Sequence, residues 1–110
     1  MASRGSGAKA KGASAEREVA KILQEHGYDS HRGMVFYHEA DIVGGVPGLH
    51  LEVKRQEQVR LTDWMAQSDA QKRAGEIPTV VHRKNREEWL ITMKFEDFLE
   101  FIKLPFEEET

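Results

Sequence analysis

The first regular pattern of apolar positions lies near the N-terminus and has the spacing of a helix. Ser14 is suited to cap the start and Gly27 to follow the end, so the pattern predicts a helix over residues 14–26. Glu16 and Glu18 flank the apolar stripe on opposite edges, and helical geometry does not choose between them as functional residues. The stripe itself consists of Ala15, Val19, Ile22 and Leu23.

A second pattern, the alternation LHLEVKRQ over residues 49–56, predicts a β-strand. Asp41-Ile42-Val43 predicts a preceding short strand, and the turn-forming GGVPG joins the two. In the longer strand, one face is apolar and is expected to pack on the core: Leu49, Leu51 and Val53. The other face is expected to be accessible: His50, Glu52 and Lys54. A half-exposed His50 is the expected arrangement on such a face.

The C-terminal half predicts two more strands between two more helices. Thr62 is expected to cap a helix over residues 62–74, which Gly75 ends, and apolar strands follow at 77–81 and 89–93. The last helix is expected to face the core through Phe95, Phe98, Leu99 and Ile102. The order α–β–β–α–β–β–α predicts an α/β domain in which helices flank a mixed sheet.

Composition limits the class of protein. A chain of 110 residues is expected to form one domain, and the absence of Cys excludes disulfides and thiolate sites. No apolar run approaches the roughly 20 residues of a membrane span, so we expect a soluble, intracellular protein. The net charge is −3, with a basic middle of +3 over residues 50–86 and −6 over 87–110. Residues 1–12 predict a flexible basic arm and 105–110 an acidic tail.

Carboxylates are the remaining candidates for chemistry, because the sequence has no Gly-x-Ser-x-Gly elbow, phosphate-binding loop or zinc-type His spacing. Asp41 begins one strand, while Glu52 and Lys54 lie on one face of the next. Two converging carboxylates are stabilised by a hard cation such as Mg²⁺, and a nearby lysine can then meet a phosphate. The alternatives are an ordinary surface pair of Glu52 with Lys54, a turn role for Asp41, and a helix-dipole role for Glu16.

Four segments together resemble the archaeal-type Holliday junction resolvases of the PD-(D/E)xK nuclease superfamily. They are KGASAEREVAKILQEHGY, Arg32, ADIVG and LEVKRQE, and the resemblance covers roughly residues 11–92. It implies a restriction-endonuclease-like fold with a nuclease domain over residues 13–104. It also implies Mg²⁺ as cofactor, with Mn²⁺ able to substitute. The implied ligands are Glu16, Asp41, Glu52 and the carbonyl of Val53, with Lys54 as the catalytic lysine.

The same resemblance implies contacts with DNA, branched substrates and a homodimer. Arg17 and Arg32 would touch phosphates near the scissile bond, and further basic residues would contact DNA: Arg55, Arg60, Lys72 and Arg73. The turn cluster of Arg83, Lys84 and Arg86 fits either a distant phosphate or a solvated hairpin. Two features depart from the resolvases. Ala40 stands at the nominal proline position, and residues 34–37 are apolar, which suits a dimer contact or an unpaired base.

Two other functions fit the sequence. One is a nuclease of the same superfamily, of phage or mobile-element type, that cuts flaps, nicks or duplex DNA. The other is a DNA-binding module that has lost catalysis, although the four site residues are intact. A phage or prophage origin is compatible with either.

Overall fold

The computed structural model describes residues 4–34 and 40–103. In chain order the elements are α1 (Arg4–Glu25), β1 (His31–Arg32), β2 (Ile42–Val43), β3 (Leu49–Arg55), α2 (Leu61–Gln71), β4 (Ile77–Arg83), β5 (Leu90–Met93) and α3 (Phe95–Lys103). The order matches the predicted one except that β1, a strand of two residues, is added. The prediction of an α/β domain is confirmed.

The strands form one mixed sheet and one small ribbon. The sheet has the order β3–β4–β5, with β3 and β4 parallel and β4 and β5 antiparallel, while β1 and β2 form a separate antiparallel pair. Parallel strands need a crossover connection, and α2 provides it between β3 and β4. The predicted mixed sheet flanked by helices is therefore confirmed, and α2 contacts both of the parallel strands.

The main core lies between α1 and one face of β3. Ala15 and Val19, two of the four stripe residues, are buried as predicted, while Leu23 is half-buried and Ile22 is 38 % exposed. The buried members of this core are Ala15, Val19, Ala20, Ile42, Leu49, Leu51 and Val53. Their contacts fix α1 against β2 and β3, which brings the acidic edge of the helix close to these strands.

The first helix begins earlier than the sequence predicted. Residues 4–12, expected to belong to a flexible arm, are helical, and Ser14 lies inside α1 and not at its N-cap. The reason is that residues 8–11 read Ala-Lys-Ala-Lys, which are strong helix formers, and extending an existing helix requires no new nucleus. Residues 4–12 therefore continue α1, although the sequence predicted no regular element there.

Both faces of β3 are buried, whereas the sequence predicted one accessible face. His50 and Glu52 are 3 % and 1 % exposed, and Lys54 is half-buried. The cause is the crossover, because α2 packs on this second face, where the Trp64 ring lies 5.7 Å from the ring of His82. Polar alternation in a strand predicts a solvated face only when no helix covers it.

The second helix begins one residue earlier than predicted and ends three residues earlier. It begins at Leu61 and ends at Gln71, with Arg60 as the N-cap residue and no side-chain capping bond, so the capping role predicted for Thr62 is wrong. The N–H of Lys72 bonds to the carbonyl of Ser68, and the chain then becomes extended. Gly75 has φ of +86°, so it serves the turn into β4 and not the helix end itself.

The apolar stripe of α3 is exposed, in contrast to its predicted burial. The helix lies at the predicted position, but the structure leaves its large side chains 37–74 % accessible: Phe95, Phe98, Leu99 and Ile102. In the adjoining edge strand β5, Ile91 is 60 % exposed beside this stripe, whereas Leu90 is 59 % exposed on the opposite face of the strand. A helical stripe predicts that a face will be covered but does not say by what, and nothing in the described part of the chain covers this one.

Two predictions lie outside the described residues. They concern the apolar loop at residues 35–37, although Met34 is described, and the acidic tail at 105–110. None of the described helices is both long enough and apolar enough to span a membrane.

Candidate functional site

A polar cavity of about 520 Å³ opens where α1, the start of β2 and the end of β3 meet. Glu16 projects from α1, Asp41 immediately precedes β2, and Val53 and Lys54 belong to β3; all four line this cavity. Residues that are far apart in sequence are therefore brought together by the packing of α1 on the strands. Glu52, the remaining candidate, is buried next to these residues in β3.

Asp41 is fixed to β3 by a backbone hydrogen bond. The N–H of Val53 donates to Oδ2 of Asp41 at 2.8 Å, which holds the carboxylate beside Glu52. Burial of Asp41 raises its pKa, the neighbouring charge of Glu52 raises it further, and together they bring it to about 7. Two carboxylates in this arrangement repel each other, so the pair is costly unless a proton or a cation lies between them.

Glu52 is held from its other side by a histidine. Nε2 of His50 lies 2.8 Å from Oε1 of Glu52, and Nδ1 lies 3.6 Å from Oε1 of Glu76. The hydrogen bond to Glu52 raises the pKa of His50, although burial of the ring opposes this. One signal of this contact is visible in the sequence, since His50 and Glu52 are two residues apart and share a strand face. The sequence also predicted a half-exposed His50, and that prediction is wrong.

Glu16 faces the cavity as one half of an ion pair. Nε of Arg32, at the end of β1, lies 2.8 Å from Oε2 of Glu16, and the Glu16 side chain is 14 % exposed. The structure thus distinguishes two acids that periodicity left equivalent, because Glu18 points into a different cluster. Glu16 and Asp41 line one cavity and are close enough for the charge of Glu16 to raise the pKa of Asp41.

The acidic and histidine side chains around this cavity can be compared with the ligands that a divalent cation requires. Within residues 4–34 and 40–103, no group of three or more acidic or histidine side chains is drawn together tightly enough to be a preformed metal site. Mg²⁺ usually takes one or two protein carboxylates and completes its octahedron with water and substrate oxygens. The adjacent, buried Asp41 and Glu52 fit that requirement, and Glu16 lines the same cavity at the edge of the set.

The predicted DNA-contacting residues do not all lie at this cavity: Arg55 lines it, whereas Arg73 lines a second cavity near the start of β3. Arg17, Arg60 and Arg73 are exposed, and Lys72 is half-buried. Arg60 lies 4.0 Å from Asp63, whereas Arg55 is only 17 % exposed and pairs with Glu18 at 3.2 Å. Arg32 is one-third exposed and pairs with Glu16. The exposed residues Arg17, Arg60 and Arg73 can each contact a phosphate without the loss of a buried contact.

A cluster around Glu18 was not predicted from the sequence. Arg83 donates to both carboxylate oxygens at 3.0 and 3.2 Å, Nε1 of Trp89 donates at 2.9 Å, and Arg55 completes the set. The Arg83 guanidinium also lies 5.0 Å from the centre of the Trp89 ring. Of the three basic residues that the sequence placed at this turn, Arg83 therefore belongs to β4 and connects this strand to α1. Charge spacing carries no signal for contacts 65 to 71 residues apart.

Comparison with known proteins identifies the family. Residues 7–105 match the family described as "Phage putative PDDEXK endonuclease". No curated protein matches the sequence. Among solved structures, the chain is similar to the 1.6 Å structure of Archaeoglobus fulgidus Hjc, described as a Holliday junction resolvase from an archaeal hyperthermophile. The TM-score is 0.49 at 19 % identity, covering 71 % of this chain and 72 % of that chain. The family match spans nearly the whole chain and every candidate residue of the cavity. The chain therefore belongs to this family of PDDEXK endonucleases, which confirms the PD-(D/E)xK resemblance of its sequence.

Proposed function

We propose that the protein is a Mg²⁺-dependent DNA endonuclease that cuts branched DNA and resolves Holliday junctions by phosphodiester hydrolysis. The observation that carries the proposal is the convergence of Glu16, Asp41 and Lys54 on one cavity, beside the buried Glu52. Membership in a nuclease family makes hydrolysis of DNA the expected reaction, and these residues are the chemical groups that it requires.

The roles of the residues follow from their chemistry. Asp41 and Glu52 would hold the cation, with the carbonyl of Val53 and the carboxylate of Glu16 as further oxygen donors. Held by these oxygens, a divalent cation would supply the Lewis acidity that lowers the pKa of water and offsets negative charge on the scissile phosphate. Lys54 lines the same cavity, so its ammonium can stabilise the negative charge of the phosphate during cleavage.

DNA would bind through phosphate contacts around the cavity. We assign Arg17, Arg32, Arg60 and Arg73 to these contacts, together with Lys72, while Arg55 contributes positive charge from within its pair with Glu18. Such contacts orient DNA without reading its sequence, and they make affinity fall steeply with salt. The cytoplasm of a host cell is where such DNA would be met.

The choice of a four-way junction is supported by the motif set of the chain. The opening helix with Glu16 and Arg17, followed by Arg32, Asp41 and the LEVKRQE strand, has the residues and order of the resolvases it resembles. Symmetric cleavage of a junction needs two centres related by a two-fold axis, and one chain of 110 residues carries one centre. We therefore propose a homodimer.

The exposed apolar face of α3 and β5 is the surface that suits this dimer. Five large side chains form it: Ile91, Phe95, Phe98, Leu99 and Ile102. From their exposed fractions they present on the order of 500 Å² of apolar surface, within the range of the largest patch that a monomer leaves in water. A standard interface buries about 800 Å² per partner, so this face supplies more than half of one. Nothing in the described residues covers it, and it shares no residue with the catalytic cavity.

Catalysis can be tested with Glu52→Gln and Lys54→Ala. Each variant should lose cleavage by at least about 100-fold while its DNA affinity changes by less than about threefold, because these groups act on the reacting phosphate and not on the duplex. Glu25→Gln and Lys103→Ala are matched controls that change the same charges at exposed positions outside the cavity. Cleavage at the normal rate by both site variants would refute the proposed centre.

The substrate can be tested in the same reactions. A labelled four-way junction, a flap and a linear duplex are incubated with Mg²⁺, with Mn²⁺ and with a chelator. Paired symmetric cuts in the junction alone are expected. Cutting of all three substrates would instead indicate a general nuclease of the family, and binding without cutting in either metal would indicate a DNA-binding module that has lost catalysis. Cleavage in chelator would overturn the metal dependence.

A further inference from the structure

His50 is the group that contacts Glu52 most closely, and the proposed mechanism does not use it. Its Nε2 lies 2.8 Å from Oε1 of Glu52, and both side chains are almost fully buried. Burying a polar ring and a carboxylate together costs free energy unless they bond to each other. The contact therefore restricts rotation of the Glu52 carboxylate.

The ring of His50 is itself held in place from two directions. On its far side, Nδ1 lies 3.6 Å from Oε1 of Glu76, and the same oxygen of Glu76 accepts a 2.7 Å hydrogen bond from the N–H of Arg73. The backbone of His50 is held as well, because it lies opposite Pro78 in the parallel pair of β3 and β4, and its carbonyl lies 3.4 Å from the buried Ser68 hydroxyl. The ring thus has little freedom to move away from Glu52.

These side-chain contacts link two cavities. His50 and Glu76 line a second cavity of about 380 Å³, beside the Gly44–Gly48 turn. From there the contacts run through the ring of His50 to Glu52, next to the catalytic cavity lined by Asp41 and Lys54. A carboxylate that binds a cation is commonly held by such an outer partner, and loss of the partner weakens metal binding by about 10–100-fold.

We propose that His50 is a positioning residue, which holds the Glu52 carboxylate in the orientation that receives the divalent cation, with Glu76 supporting the ring. The inference rests on the proposed function, because Glu52 needs positioning only if a metal binds there. It adds to that proposal a residue that touches neither the substrate nor the cation.

Two amide substitutions of His50 separate positioning from folding. In His50→Gln the side-chain nitrogen can occupy the place of Nε2 and still donate to Glu52. The side chain in His50→Asn is one methylene shorter, so its nitrogen reaches only the place of Nδ1. Both variants are neutral and polar, so they disturb the buried site to a similar extent. The probe is Mn²⁺, titrated into DNA-free protein and followed by the electron paramagnetic resonance signal of the free ion.

The expected result is that His50→Asn weakens Mn²⁺ binding by about 10-fold or more, while His50→Gln stays within about threefold of wild type. Thermal unfolding without metal reports whether each variant is folded, and if His50→Asn is not, Glu76→Ala removes support for the ring at a partly exposed position and should weaken binding severalfold. Wild-type affinity in folded His50→Asn, or equal losses in both amide variants, would overturn the role of His50 alone. If wild-type protein and Glu52→Gln bind Mn²⁺ equally poorly, the proposed metal centre fails and His50 with it.

Discussion

Two glutamates on α1, two residues apart, lie in different environments. Glu16 pairs with Arg32 at the candidate cavity, whereas Glu18 is bound by Arg55, Arg83 and Trp89. The sequence could not separate them by periodicity, since they flank the same stripe; resemblance to the resolvases selected Glu16. The partners of Glu18 come from β3, β4 and the residue that precedes β5, so its role depends on tertiary packing that no local pattern encodes.

Replacing Glu18 with Gln should destabilise the protein. The change removes the charge that binds two buried arginines, and we expect the free energy of unfolding at about pH 7 to fall by roughly 1–2 kcal/mol, because the carboxylate is partly exposed and water screens it. Urea denaturation measures the loss, with Glu25→Gln, at the exposed end of the same helix, as the control. A loss of unfolding free energy no larger than that of the control would show that the cluster does not stabilise the fold.

The contribution of Glu18 should also depend on pH. Burial raises the pKa of Glu18, but hydrogen bonds from Arg83 and Trp89 and the charges of Arg83 and Arg55 outweigh it, so the folded pKa lies below the usual 4.5. A depressed pKa means that the unfolded state takes up the proton first, so the stabilisation is complete above 4.5 and is lost as pH falls through the folded pKa. The stability gap between wild type and Glu18→Gln should therefore close in acid, and a gap independent of pH would contradict this origin.

At the level of elements, periodicity predicted where helices and strands lie more successfully than what covers them. The alternation of β3 was correct, yet the polar face with His50 and Glu52 is buried because α2 crosses over it. The stripe of α3 was also correct, yet it is exposed. Both errors have one physical cause. The pattern of apolar and polar residues shows that the two faces of an element differ. What packs on each face is decided by the order and connection of the elements.

One buried hydroxyl of α2 contacts both parallel strands of the sheet. Ser68 is fully buried; it accepts a 3.0 Å hydrogen bond from the N–H of Thr79 and lies 3.2 and 3.4 Å from the carbonyls of Thr79 and His50. Ser68→Ala would leave the N–H of Thr79 without its bond, so we expect a loss of about 1–3 kcal/mol in unfolding free energy. Chemical denaturation checks this against Thr62→Ala, an exposed position in the same helix. Equal stability of the two variants would mean that apolar packing alone docks α2.

On the scale of the whole molecule, the catalytic cavity and the apolar face have separate linings. The cavity collects α1, β2 and β3, while the face belongs to β5 and α3. The sequence predicted the acidic residues of the cavity and the apolar residues of α3, although it assigned the residues of α3 to the core. In the described residues, a candidate cavity on one side and an uncovered apolar face on the other are the features that the proposed symmetric dimer requires of each chain.

The last prediction concerns that assembly. The mass measured by light scattering at micromolar concentration should be about twice 12.6 kDa for wild type and close to 12.6 kDa for Phe98→Glu combined with Ile102→Glu, because two buried charges without partners oppose association. Val59→Glu places the same charge on an exposed apolar residue outside the face and should remain dimeric. With the junction as substrate, the double variant should nick one strand and lose the paired cuts, since its catalytic residues are unchanged while its second centre is absent. A monomeric wild type that still makes paired cuts would exclude this face as the dimer surface and the symmetric mechanism with it.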